Sequence, residues 1–217
     1  MNDHSMWAHA YQPNSLEECI LEAFPEYVQR QLLHVSKKPS LPNFLLYGIA
    51  GTGKSTIARV ICDSNKYNIL RLNGSLVTKS QIGEIEKFIT TSTLFGERRV
   101  VFIDEADGIS PPAQLALRSL IEPTHQASWV LTCNFRKKII EPIASRFMQI
   151  ECALPSAPDR ERHMSAIVAR CRHILESEGV NGIIDNELRA IVSEKYPDIR
   201  QTINEVQSRF SWMAEAT

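Results

Sequence analysis

Short apolar runs alternate with longer amphipathic stretches along the first two thirds of the chain. The runs are four or five residues long, which predicts strands at 43–47, 69–73, 100–104, 129–132 and 148–152. The stretches between them predict helices at 55–65, 79–92 and 111–122. Strands that alternate with helices indicate a parallel α/β sheet, with ligands bound at the carboxyl ends of the strands.

The pattern changes after Pro155-Ser-Ala-Pro158, which has the composition of a hinge. No convincing strand follows, and apolar residues three and four apart predict helices at 158–178, 184–195 and 199–214. Asp198 is the expected N-cap of the last helix. We therefore predict two domains, an α/β domain over 1–154 and a small all-helical domain over 155–217.

The N-terminal segment is punctuated by prolines, at Pro13, Pro25, Pro39 and Pro42. Proline disfavours regular structure around it. We predict an extended arm, with Trp7 packed beneath it, and then a short helix near 15–34.

Composition narrows the class of protein. The 217 residues are 43% apolar and 23% charged, with a net charge of -1, so any nucleic-acid surface must be a local patch or be shared between subunits. The five cysteines lack C-x-x-C spacing, which argues against a disulfide framework or a zinc site and favours a reducing compartment. Without a long apolar run or a signal-peptide layout, we expect a cytoplasmic protein with no membrane partner.

Gly48-Ile-Ala-Gly-Thr-Gly-Lys-Ser55 matches the phosphate-binding pattern G-x-x-x-x-G-K-[ST] at every fixed position. Its glycines let successive backbone N–H groups face one anion. Lys54 would reach the β- and γ-phosphates, and the Ser55 hydroxyl would ligate Mg²⁺. We expect nucleotide contacts from Gly48, Ala50, Gly51, Thr52, Gly53, Lys54, Ser55 and Thr56.

An apolar strand, Val100–Ile103, runs directly into Asp104-Glu105-Ala-Asp107. A carboxylate at a rigid strand end suits a second Mg²⁺ anchor, so Asp104 would hold the ion and Glu105 would orient and deprotonate the attacking water. Spacing alone says less about two other polar residues. Asn134 ends another strand, as many turn residues do, and a lone Arg146 at a helix end is usually a solvated charge.

Five motifs together resemble the AAA+ ATPase subunits of replication clamp loaders, both the small subunits of replication factor C and the ATPase subunit of the tailed-phage clamp loader. The motifs are Gly48–Ser55, Asp104–Asp107, Thr132–Asn134, Ile139–Arg146 and Asp198–Arg200. The resemblance runs from Trp7 to Gln207, and Cys133–Phe147 is its most specific part.

The resemblance implies an AAA+ P-loop NTPase fold with a helical lid, and ATP with Mg²⁺ as cofactors. Asn134 would be sensor 1, which polarises the lytic water. Arg146 would be the arginine finger that reaches the γ-phosphate bound by the neighbouring subunit, and Arg200 would be sensor 2, which contacts the γ-phosphate of its own subunit. Tyr11 and Pro13 would lie beside the adenine.

The task implied by the resemblance is ATP-dependent loading of a ring-shaped sliding clamp onto primer–template DNA, by a pentameric ring or spiral of loader subunits. Candidate contacts to DNA phosphates are Lys79, Lys87, Arg98, Arg99, Arg136, Lys137 and Lys138. The chain departs from the family at Gln12, where arginine is usual, and at Phe147, where cysteine is usual. We expect the family's C-terminal collar domain to be absent, through truncation or a different assembly.

Two alternatives stay open. The chain could be another AAA+ replication or recombination ATPase, such as a helicase loader, although the Ile139–Arg146 segment favours a clamp loader. It could also be a structural subunit that binds ATP without hydrolysing it. Such subunits usually lack the lysine, the catalytic glutamate or the finger, and Lys54, Glu105 and Arg146 are all present.

Overall fold

The protein forms two compact units. A computed structural model describes residues 6–37, 41–64, 67–91, 98–121, 127–153 and 157–216. One unit, the sheet unit, holds Tyr27–Ile49 and Lys54–Cys152. The other, the helical unit, holds the described residues up to Glu26, Ala50–Gly53 and the described residues from Ala153 onward. A domain boundary after residue 154 stays a prediction. The structure also groups the N-terminal segment, up to Glu26, with the C-terminal helices.

The sheet unit contains five parallel strands in the order β2-β3-β4-β1-β5. Their bounds are β1 Phe44–Gly48, β2 Asn68–Asn73, β3 Arg99–Asp104, β4 Ala127–Cys133 and β5 Met148–Cys152. All five were predicted from the apolar runs and are confirmed. The runs are continuous because the central strands are covered on both faces: β3 is buried from Arg99 to Ile103. The carboxyl ends of β1, β3 and β4 meet at one edge of the sheet, which is where the predicted site lies.

Nine α-helices are present among the described residues. They are α1 Trp7–Ala10, α2 Glu26–Ser36, α3 Lys54–Asp63, α4 Lys79–Thr90, α5 Pro111–Ile121, α6 Glu141–Ala144, α7 Ala157–Ser177, α8 Asp185–Lys195 and α9 Ile199–Phe210. The predicted helices that correspond to α3, α4, α5, α7, α8 and α9 are confirmed. The last one ends earlier than predicted, because the chain continues as a 3₁₀ helix over Ser211–Ala216.

Two predictions about the N-terminal segment are wrong. The helix expected near 15–34 begins only at Glu26, directly after Pro25, since proline is tolerated at a helix start but not in its interior. The arm is not extended throughout, because Trp7–Ala10 forms α1. Trp7 is only 5% exposed and packs into the core of the helical unit, and its backbone N–H donates to Gln207 Oε1 at 2.9 Å.

The helical unit is built on the apolar face predicted for α7. Its members are all buried: Met164, Ile167, Val168, Cys171, Ile174 and Leu175. Asp198 caps α9 as predicted, since its side chain accepts from the N–H of Gln201 at 2.9 Å. Within the described ranges, no helix is both long and apolar enough to cross a membrane.

None of the five cysteines, all of which lie within the described residues, forms a disulfide bond. Four of them are buried: Cys62, Cys133, Cys152 and Cys171. Burial raises the pKa of each of these four to about 12, so they stay protonated at neutral pH. They therefore act as small apolar side chains.

Candidate functional site

The loop between β1 and α3, called the glycine loop below, depends on glycines for its backbone conformation. Gly48, Gly51 and Gly53 have φ values of 136°, 78° and 84°, in the region that other residues rarely adopt. Gly48 is also held against β5, where a Cβ atom would collide with the backbone carbonyl of Cys152. The local sequence thus sets a loop whose backbone turns tightly just before the first turn of α3.

Lys54 begins α3 and is buried, with 7% of its surface exposed. Its Nζ donates to the carbonyl oxygens of Gly48 at 2.9 Å and Ile49 at 2.6 Å. Burial lowers the pKa of the Lys54 ammonium, because the charged form loses its water. The buried Lys54 ammonium, bonded to two carbonyl oxygens beside this loop, is suited to an anionic ligand.

The remaining predicted nucleotide contacts lie along the same loop and the start of α3. Thr52 is buried, Thr56 is half-buried, and Ala50 is exposed. Ser55 lies in the first turn of α3, and its hydroxyl donates to Asp104 Oδ1 at 2.7 Å. The structure therefore brings together the two oxygen ligands that the sequence assigned to Mg²⁺, from segments 49 positions apart.

Glu105 follows β3 in a left-handed conformation, with φ 55° and ψ 42°. It is the one non-glycine residue with positive φ among those the structure describes. Its N–H donates to Thr132 Oγ1 at 3.1 Å, and its carbonyl accepts from the N–H of Gly108 at 2.8 Å. These bonds hold a conformation that costs roughly 1 kcal/mol or more, and they leave the carboxylate exposed at the edge of the sheet.

Asn73 is a site residue that the sequence reasoning missed. It ends β2, pairs in register with Asp104, and its Nδ2 donates to Glu105 Oε2 at 3.0 Å. The order of the strands in the sheet could have identified Asn73 as a site residue. Once β2 is placed beside β3, the last residue of β2 must lie next to the acidic turn.

Two further polar residues connect the ends of β3 and β4. Asp107 Oδ2 accepts from the N–H of Phe135, at 3.2 Å, just after the predicted Asn134. Gln114 is 1% exposed, donates to the carbonyls of Ile109 and Lys138, and accepts from the N–H of Ile140. The chain that follows Asn134 is therefore tied at two points to the chain that follows Glu105.

Asn134 is exposed immediately after β4, at the same edge of the sheet as the acidic turn of β3. Arg146 lies in the turn after α6 and is half-buried. Its guanidinium donates to the carbonyl of Pro142 in its own segment. The position of Asn134 fits a group that faces a bound ligand.

In the helical unit, Arg200 is exposed in the first turn of α9. The neighbouring Ile199 donates its N–H to the carbonyl of Gly51 at 3.1 Å. The Asp198 carboxyl lies against Gly51, so a Cβ atom at position 51 would collide with it. The start of α9 and the middle of the glycine loop are thus in direct contact within this unit.

Tyr11 and Pro13, which the resemblance predicts to lie beside the adenine, are both half-buried in the helical unit. The Tyr11 hydroxyl donates to Glu178 Oε1 at 2.6 Å, and its carbonyl accepts from Arg170 at 2.5 Å. Burial, together with Glu178, raises the pKa of Tyr11 to about 12. The phenol is therefore fixed at the end of α7.

Of the candidate cations for nucleic acid, one is buried. Arg99 donates to the carbonyl of Ile89 at 2.7 Å and lies over the ring of Phe88, which removes it from the set that DNA could reach. Arg136 is bonded to Gln149 and Glu141. The others are exposed: Lys79, Lys87, Arg98, Lys137 and Lys138.

Two segments match known protein families. Residues 44–154 match the family described as "ATPase family associated with various cellular activities (AAA)". Residues 159–212 match "Sliding-clamp-loader large subunit, AAA+ ATPase lid domain". Together the two matches include the five strands, the acidic residues that follow β3 and, from residue 159 onward, the helices α7, α8 and α9.

Similar proteins include the sliding-clamp-loader large subunit of Enterobacteria phage T4, which is 30% identical over 203 residues. The match covers 91% of this chain and 62% of the phage protein. The replication factor C small subunit of Methanoculleus marisnigri is 32% identical over 214 residues, which cover 94% of this chain and 63% of that protein. The chain thus spans less than two thirds of the length of these relatives.

Among solved structures, a variant of RuvB from Thermotoga maritima is similar, with a TM-score of 0.59 and 21% identity. The match covers 91% of this chain and 73% of that chain. This likeness is one of fold.

Proposed function

The chain belongs to the AAA family of ATPases, and on that premise we propose that it is a motor subunit that hydrolyses ATP to load a sliding clamp onto primer–template DNA. One observation carries the hydrolytic part: Lys54, Ser55, Asp104 and Glu105 converge at the carboxyl ends of β1 and β3. The clamp-loading part is supported by the match of residues 159–212 and by the named relatives.

The donor set at the strand ends suits ATP with Mg²⁺. Ser55 and Asp104 offer a hydroxyl and a carboxylate oxygen 2.7 Å apart, and magnesium prefers such hard oxygen ligands. Bound there, the ion would neutralise charge on the phosphates. Lys54 would exchange its two loop carbonyls for phosphate oxygens, and the N–H groups of the glycine loop would face the same anion. Tyr11 and Pro13 would flank the adenine.

Hydrolysis needs a base for the attacking water. Glu105 is exposed, and its backbone is fixed at both its N–H and its carbonyl, so its carboxylate can accept the proton from that water. Asn134 would orient the water from the end of β4. Arg200 would contact the γ-phosphate of its own subunit, and Arg146 would reach that of a neighbour as charge develops.

The proposed partners are other loader subunits in a pentameric ring or spiral, a ring-shaped clamp, and primer–template DNA. ATP binding would assemble the spiral on the clamp, and DNA entry would align Arg146 with the next nucleotide. Hydrolysis would then release the clamp. Exposed cations such as Lys79 and Lys137 would contact the DNA backbone, which requires few charges from each subunit.

The test is ATP turnover with and without primer–template DNA and a cognate clamp, for the wild type and Arg146→Ala. We expect stimulation that Arg146→Ala abolishes while nucleotide affinity is kept. Arg162→Ala, an exposed arginine on α7, is the matched control. Turnover indifferent to DNA, clamp and Arg146 would contradict the proposal.

A mixing experiment tests action between subunits. Lys54→Ala has an intact finger and no nucleotide site, whereas Arg146→Ala has an intact site and no finger. Each should be inactive alone, and a mixture should recover part of the turnover. A mixture as inactive as its components would contradict a finger supplied in trans between copies of this chain.

A further inference from the structure

Thr132 reaches the acidic edge of the sheet from β4, although it was assigned no role of its own from the sequence. It is 1% exposed. Its Oγ1 donates to Asp104 Oδ1 and accepts the N–H of Glu105 at 3.1 Å. One hydroxyl therefore engages both the carboxylate proposed to hold Mg²⁺ and the backbone of the proposed base.

Asp104 Oδ1 accepts from two hydroxyl donors, which lie on different elements of the sheet unit. Ser55 donates from α3 at 2.7 Å, and Thr132 donates from β4. Ser55 is proposed to turn its oxygen towards the metal ion, whereas Thr132 is buried and is not proposed as a metal ligand. The Thr132 hydroxyl is therefore the fixed partner of this carboxylate.

Glu105 needs the same hydroxyl for a different reason. Its left-handed backbone is unfavourable for a residue with a side chain, so it persists only where neighbours hold it. Without Thr132, the Glu105 N–H would be left with Asp104 Oδ1, at 3.2 Å. A valine at position 132 would keep the volume and burial of the side chain while removing both bonds.

We propose that Thr132 is a positioning residue for hydrolysis, which fixes the Asp104 carboxylate and the turn at Glu105 together. The proposal rests on the proposed function, since it assumes that ATP with Mg²⁺ is hydrolysed at this edge. In this role Thr132 would not contact the reacting atoms itself. It acts by joining the metal anchor and the base into one rigid unit.

The test compares Thr132→Val with Thr132→Ser, which restores the hydroxyl. We expect Thr132→Val to lower kcat by about 10- to 100-fold and to weaken ATP binding about 10-fold in Mg²⁺ but not in EDTA. Thr132→Ser should stay close to the wild type in both. Ser128→Ala is the matched control, because Ser128 lies on the same strand and its hydroxyl bonds to Leu41, away from the site.

The outcomes separate this proposal from the proposed function. If Thr132→Val matches the wild type in turnover and in Mg²⁺-dependent affinity while Glu105→Gln is inactive, the role of Thr132 is overturned and hydrolysis at this site stands. If the wild type does not hydrolyse ATP with clamp and DNA, the proposed function fails, and the affinity measurements still test Thr132. Equal losses in Thr132→Val, Thr132→Ser and Ser128→Ala would reduce Thr132 to a structural residue.

Discussion

The two units place their polar groups by different means. At the edge of the sheet, Asp104, Glu105 and Thr132 are linked by side-chain and backbone hydrogen bonds between neighbouring strand ends. In the helical unit, Arg200 and Tyr11 are carried on elements positioned by apolar packing and by the cap of α9. A substitution at the sheet edge should therefore change chemistry with little loss of fold, and one in the helical unit should change stability first.

The largest expected effect is on chemistry in the sheet unit. Glu105→Gln keeps the shape of the side chain and removes the proton acceptor, so turnover should fall about 10²- to 10⁴-fold, with ATP affinity and melting temperature unchanged. Steady-state ATPase and nucleotide-binding assays measure both. Glu86→Gln, at an exposed position on α4, is the control. Retained turnover in Glu105→Gln would show that another group takes the proton.

Trp7→Ala tests the helical unit, where the expected effect is on stability rather than on chemistry. Removing a buried tryptophan should lower the free energy of unfolding by roughly 3–5 kcal/mol, because a cavity opens beneath α1. Urea denaturation followed by circular dichroism would measure it. Trp212 is 64% exposed in the same unit, and Trp212→Ala should cost less than about 0.5 kcal/mol. Equal costs would contradict the packing described for α1.

The helical unit should also depend on pH through His163. Burial lowers the pKa of His163 to about 4, from 6.5, so the unfolded chain binds more protons between these values. Stability is therefore lost as pH falls from 6.5 to 4, by on the order of 3 kcal/mol. His163→Gln should flatten this dependence in urea titrations at several pH values, with His173→Gln on the same helix as the control. An imidazole that titrates near its ordinary value by NMR would contradict the prediction.

The smallest expected effect is at the cap of α9. Asp198→Ala removes the acceptor for the Gln201 N–H and should cost about 1 kcal/mol of stability. Asp198→Asn keeps an acceptor and should cost less. Thermal melts of the two variants provide the measurement, and a larger loss in Asp198→Asn than in Asp198→Ala would rule out capping as the cause.

Local sequence was enough to predict the strands, most helices, the glycine loop and the acidic strand end, because each is specified by residues close together in the chain. Asn73, Thr132 and Gln114 were missed as site residues for the opposite reason. Each contacts a segment that is distant in sequence, and those contacts follow only from how the strands and helices pack together. The same reason explains Trp7, which was assigned to an arm and lies in the core of distant helices.

Arg99 shows a further limit of reading charge from sequence. From the sequence it is a candidate contact to DNA phosphates, yet its side chain is buried and donates to the Ile89 carbonyl. Burial is decided by the neighbours of β3 and α4, which composition does not reveal.

The contact between Gly51 and Asp198 bears on how this protein can be re-engineered. A chimera that takes its lid helices from a relative also takes that relative's residue at position 198, which lies against Gly51. A side chain larger than Asp198 at this position would collide with the glycine loop. The loop and the start of α9 therefore form one module for recombination, although 147 positions separate them (198 minus 51). Exchanging the lid together with residues 50–53 would preserve that fit.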